Sequence, residues 1–131
     1  MMVVDTHVIL WDALEPERLT AAAKRALNKA DRGDGIILCE ISLWEIAMLM
    51  QKKRVQVEAD YQSFIELVLQ SRNCLLQNLT PAIAELSVSI DLGKDKDPAD
   101  RIIAATASQQ GVPLVTADRD IQASKAVKTI W

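Results

Sequence analysis

The sequence predicts a layered α/β fold: a small parallel sheet of about five short strands, flanked by helices on both faces. Three observations predict it. Short apolar runs alternate with helical patterns from one end of the chain to the other. Most of the helical patterns open on a capping signal. No linker, low-complexity stretch or internal repeat divides the 131 residues, so 1–131 reads as a single domain.

Taken in order, "MMVV" is a short strand ending at Asp5, followed by helical sequence through Trp11 and a turn at Pro16. Thr20 caps an alanine-rich helix that stops at the glycines of "DRGDG". "IILC" is the second strand. Ser42 and Glu45 stand at capping-box spacing, which predicts that the next helix starts at Ser42 and holds Glu45 in its first turn. A further helix is expected from Asp60 to Arg72, then a weak strand around Leu75 to Leu79. Thr80 with Pro81, and Asp97 with Pro98, each mark a cap followed by proline at the first helical position. The second of these helices ends at Gly111. "PLVTA" is a strand, Asp118 opens a short helix, and "VKTIW" supplies the last strand.

Composition narrows the function. Half the residues are hydrophobic, a quarter are charged, and the formal net charge is -3, which argues against a broad basic face wrapped by nucleic acid. Cys39 and Cys74 match no metal spacing and are expected as buried thiols in a reducing compartment. No signal segment opens the chain and no apolar stretch is long enough for a membrane span, so the expected location is cytoplasmic.

In parallel α/β sheets, ligands sit beyond the carboxyl ends of the strands. Asp5, Glu45, Asp100 and Asp118 all fall at such ends. Each has a purely structural role open to it: helix caps for Asp5 and Asp118, a capping box for Glu45, the helix dipole for Asp100. Together they would gather at one end of the sheet, with no lysine or arginine obviously supplied to neutralise them. Crowded carboxylates repel and rise in pKa unless a cation joins them. Oxygen ligands suit Mg²⁺ or Mn²⁺, and such a centre suits phosphodiester hydrolysis by an activated water.

The segments "VVDTHVILW", "ISLWEIAML", "DPADRIIAATA" and "LVTAD" carry a resemblance over nearly the whole chain. They resemble a PIN-domain ribonuclease, most closely the VapC-type toxin of toxin-antitoxin pairs. No single motif is specific, whereas the four in this order and spacing are. The resemblance implies that Asp5, Glu45, Asp100 and Asp118 form an acidic quartet binding Mg²⁺ or Mn²⁺. It places Thr6 and Thr116 beside that quartet. It further implies an RNA substrate, often transfer RNA, a small antitoxin partner and a homodimer. Only four residues precede Asp5, so the first strand should be minimal.

Other residues invite lesser roles. Asp97 is expected to cap its helix, Asp95 to lie in solvated loop, and the single histidine, His7, to be structural or to support the site. Arg101 could pair with a carboxylate or touch an RNA phosphate, and Lys52, Lys53 and Arg54 form the densest basic cluster, a candidate RNA contact or a solvated face. In the helix "LWEIAMLM", Leu43, Ile46, Ala47 and Met50 form the stripe expected to face the sheet. Trp44, Met48 and Leu49 lie off that stripe, pointing to cover from a second subunit or an antitoxin. Two rival functions are a receiver-type phosphoacceptor domain and a non-catalytic PIN-like binding module. The first would want paired acids after the first strand and a lysine ending a late one; the second would not need the quartet.

Overall fold

The computed structural model describes residues 1–93 and 95–131. Five strands, β1 (Met2–Val4), β2 (Ile36–Cys39), β3 (Cys74–Gln77), β4 (Leu114–Val115) and β5 (Thr129–Ile130), form one sheet. Their order is β3-β2-β1-β4-β5 and every pairing is parallel. Helices fill the connections: α1 (Thr6–Leu14) and α2 (Ala21–Arg32), α3 (Glu40–Gln51) and α4 (Tyr61–Ser71), α5 (Pro81–Ser89) and α6 (Pro98–Gln110), and α7 (Arg119–Ala123). A 3₁₀ turn at Pro16–Arg18 follows α1.

Alternation along the strands divides the core. Met2 and Val4 of β1, Ile36 and Leu38 of β2, and Val115 of β4 join a cluster with Val8, Leu27, Ile46 and Phe64, drawn from α1 to α4. Val3, Ile37 and Leu114 point the other way, into a cluster with Ile90, Leu92, Ile103 and Ile121. The chain therefore winds β1 to β3 with helices on one face, then returns to the far side of β1 with helices on the other. The order reverses between β1 and β4, and a reversal of this kind opens a crevice at the carboxyl ends of the two strands.

Most caps stand where the residues predict. Thr20, Asp60, Thr80 and Asp97 each accept from the backbone N–H three residues on. Asp118 accepts from Asp120 N and Ile121 N. Gly111 ends α6 at φ 65°, a left-handed conformation that glycine takes without side-chain strain.

Two expectations about α3 are corrected. The helix begins at Glu40, with Cys39 in the cap position and no side-chain cap, so Ser42 and Glu45 form no capping box and Glu45 lies beyond the first turn. Glu40 anchors that early start: its Oε1 accepts from Leu79 N at 2.7 Å, tying the first turn to the segment between β3 and α5. The stripe also turns. Ser42, Glu45, Ile46 and Leu49 are buried, while Leu43, Ala47 and Met50 are only half-buried and Trp44 is 60% exposed. Leu49, placed off the stripe by the sequence reading, belongs to the core. Polar residues hold inward positions because α3 faces the start of α1, where their partners are.

Candidate active site

Asp5 leaves the end of β1 and caps α1, with its Oδ1 accepting from Thr6 N at 2.8 Å. Its Oδ2 accepts from Thr116 Oγ1 at 2.6 Å. Thr116 follows β4, the neighbouring strand, and its hydroxyl also accepts from Asp118 N at 3.1 Å. One buried threonine thus fixes both acids across the crevice.

On the other side, Thr6 Oγ1 donates to Glu45 Oε1 at 2.5 Å and lies 2.8 Å from Ser42 Oγ. A hydroxyl has one proton; once Thr6 gives its own to Glu45, Ser42 must donate to Thr6. Ser42 and Thr6 are fully buried, and Asp5 and Glu45 are each only 8% exposed. Asp100 lies in the first turn of α6, above the cap formed by Asp97 Oδ1.

The electrostatics agree with this gathering. Burial raises Asp5, against the lowering effect of the Thr116 and Thr6 bonds. Burial likewise raises Glu45, and Asp5 and Asp97 push in the same direction. Asp100 rises to about 7, through burial first and then repulsion from Asp97, Asp5, Glu45 and Asp118. Asp100 thus feels all three other acids of the quartet.

Asp118 is the exception, and it corrects the expectation that no cation is supplied. Lys96 Nζ lies 2.5 Å from Asp118 Oδ2 and 3.3 Å from Asp120 Oδ2. Burial would raise Asp118, but the Lys96 bond and the N–H groups of Ile121 and Asp120 hold it below the ordinary carboxylate value. Sequence inspection missed Lys96 because it sits in an acidic loop, "DKD", and reads as solvated. Its distance of 22 residues from Asp118 gives no local signal.

The donor set is carboxylate oxygen throughout, which fits a hard divalent cation. Among the described residues, no three acidic, histidine or cysteine side chains are already converged on one point. Mg²⁺ asks for less than that, since it keeps several waters and takes one or two carboxylates directly.

The remaining candidates fall into place differently. Arg101 Nη1 donates to Ile90 O at 3.0 Å, bonding the end of α5 rather than a carboxylate. Lys52 and Lys53 are exposed where α3 ends. Arg54 lines a cavity of about 660 Å³ together with His7, Trp11 and Arg18, whose guanidinium stands 4.5 Å over the Trp11 ring. His7 is exposed and packs at 6.0 Å from Trp11, ring to ring. Asp95 is exposed loop at φ 63°. Cys39 and Cys74 are free thiols, the first buried and pushed up to about 11 by burial, the second half-buried. No helix among the described residues is long and apolar enough to cross a membrane.

The sheet is parallel and reverses at β1 and β4, and the PIN domain model matches residues 2–127. The chain belongs to the PIN-domain family. It is similar to Ribonuclease VapC22 of Mycobacterium tuberculosis, at 32% identity over 132 residues, covering 99% of this chain and 98% of that protein. Its fold matches VapBC2 of Rickettsia felis, solved bound to a promoter DNA fragment, at a TM-score of 0.72 and 14% identity, covering 98% of this chain and 96% of that one. It also matches VapC20 of Mycobacterium tuberculosis, described as a sarcin-ricin loop cleaving toxin, at a TM-score of 0.64 and 15% identity, covering 98% and 99%.

Proposed function

We propose that this chain is a Mg²⁺- or Mn²⁺-dependent endoribonuclease and the toxin of a toxin-antitoxin pair. The observation that carries the reading is the buried carboxylate cluster at the sheet reversal, with Asp100 raised to about 7 by burial first and then by its fellow acids. The relative named as a ribonuclease supports the choice of RNA. Asp5, Glu45 and Asp100 would hold the ion, with Asp118 beside them. A bound ion would supply Lewis acidity, making water a better nucleophile and drawing charge from the phosphate.

The chain's own residues do the positioning. Thr116 and the Thr6 amide aim Asp5, while Thr6 and Ser42 aim Glu45. Asp100 holds its proton up to about 7 and would give it up in order to hold a cation, so ion uptake should expel protons. The cavity bordered by His7, two residues beyond Asp5, offers an aromatic face and guanidinium groups to a base and a phosphate. The exposed Trp44 on α3 is a contact for a second copy or for the antitoxin. An antitoxin would bring a basic side chain toward the acids, relieving their repulsion.

The test is cleavage of mixed cellular RNA by the purified chain, free of any partner. Cutting is expected with Mg²⁺ or Mn²⁺ and should cease in excess chelator. Cutting that persists in chelator removes the metal from the reading. No cutting with either ion leaves the binding-module alternative in its place.

A further inference from the structure

Lys96 is the one strong cation seated on the acidic cluster among the described residues, and its setting is built. Its side chain is 12% exposed, so the ammonium is sheathed rather than waving in solvent. It contacts Asp118 Oδ2 at 2.5 Å and Asp120 Oδ2 at 3.3 Å. The opposite oxygen of Asp118 is also committed: Oδ1 accepts from Asp120 N at 2.9 Å and from Ile121 N at 3.1 Å. Asp118 N is in turn held by Thr116 Oγ1 at 3.1 Å. Asp118 is thus engaged on both oxygens and at its amide, all by groups of this chain. A divalent ion competing for it would have to remove an ammonium, break helix-capping bonds, or squeeze in beside a like charge. Asp5, Glu45 and Asp100 carry no such cationic partner; each is raised by burial and by its fellow acids.

We infer that Lys96 is a resident cation of the acidic centre, that Asp118 serves it in place of a second metal, and that the centre therefore takes one divalent ion per chain. The inference rests on the metal-dependent reading above and narrows it. Lys96 acts through Asp118 as a positioning residue: it ties the loop before α6 to the first turn of α7. Its fixed charge neutralises the β4 side of the cluster and leaves the other side to the ion.

The experiment is a count of Mn²⁺ bound per chain, by electron paramagnetic resonance of the free ion during titration of the purified full chain. One ion is expected for the parent and for Lys96→Arg, which keeps the charge. Two ions are expected for Lys96→Met, which keeps the length and frees Asp118. Two ions in the parent, or one in Lys96→Met, overturns the inference and leaves metal-dependent cleavage standing. No uptake by the parent overturns both. A measurement on the unmutated chain guards against a variant that fails to fold: the Lys96 ammonium resonance in proton–nitrogen spectra. It should persist at saturating Mg²⁺ if the lysine stays seated. Its loss to rapid solvent exchange would show that the ion displaces it, and the inference would fall.

Discussion

Thr116 does more for the site than its size suggests. It is fully buried, and its one hydroxyl donates to Asp5 and accepts from the Asp118 amide. Replacement by valine keeps the shape and deletes both bonds, leaving a buried carboxylate oxygen and a backbone N–H each short of a partner. Thr116→Val should cost roughly 1–3 kcal/mol of stability in chelator, and Thr116→Ser clearly less. Urea unfolding of the two variants beside the parent checks this; a valine variant as stable as the parent would refute the account. Thr116 was legible in the sequence through the family resemblance, as was Thr6. Their bonding geometry was not. The Thr6–Glu45 and Thr116–Asp5 bonds span 39 and 111 residues, and nothing in local spacing encodes such pairs.

At the scale of elements, the helix ends were the most legible part. A cap is a contact between residues three apart, so its signal survives in sequence order. Gly111 gives a direct test. At φ 65° and ψ 31° it lies in the left-handed region, and a Cβ built there meets nothing within 4 Å. Gly111→Ala therefore brings backbone strain with no clash, and should lower stability by about 1 kcal/mol. Gly111→Asn should lower it less, because asparagine tolerates this conformation. Thermal melts that rank alanine equal to the parent would contradict the assignment. The start and phase of α3 were misread for an equally physical reason. Serine and glutamate three apart look like a cap from outside, whereas here they are buried to meet Thr6. A buried polar cluster breaks the amphipathic rule on which the phase was read.

At the scale of the molecule, the crowded acids set a pH dependence. Folded Asp100 keeps its proton up to about 7, while the unfolded carboxyl releases it near the ordinary value of 3.8. Between those limits the folded state binds more protons, so metal-free stability should fall as pH rises through them. Asp5 and Glu45, both raised, add to the fall. Asp118 opposes it only below the ordinary carboxylate value, because Lys96 holds it down. Asp31 and Asp60, both lowered by backbone bonds, likewise act below that window. Urea midpoints taken in chelator from pH 4.5 to 7.5 should decline, and Asp100→Asn should flatten the decline. A parent profile that climbs across this range would show that Asp100 ionises freely.

The sequence by itself determined the parallel α/β class, the caps, the breaks between elements and the acids at strand ends, because each of these is written in periodicity or short spacing. Tertiary structure alone decided which of those side chains meet. It decided that Arg72 at the end of α4 grips Asp12 of α1 at 2.8 Å and Asp31 of α2 at 3.2 Å, fastening three helices on one face. It turned Ser42 and Glu45 inward, and it seated Lys96 on Asp118. Arg72 and Asp31 stand just before β3 and β2, at the amino ends of the strands. Ser42, Glu45 and Lys96 meet their partners at the other end of the sheet, for one physical reason. Reversal of strand order at β1 and β4 brings residues from both ends of the chain over one crevice, and charge in a buried crevice draws whatever partner the fold puts within reach.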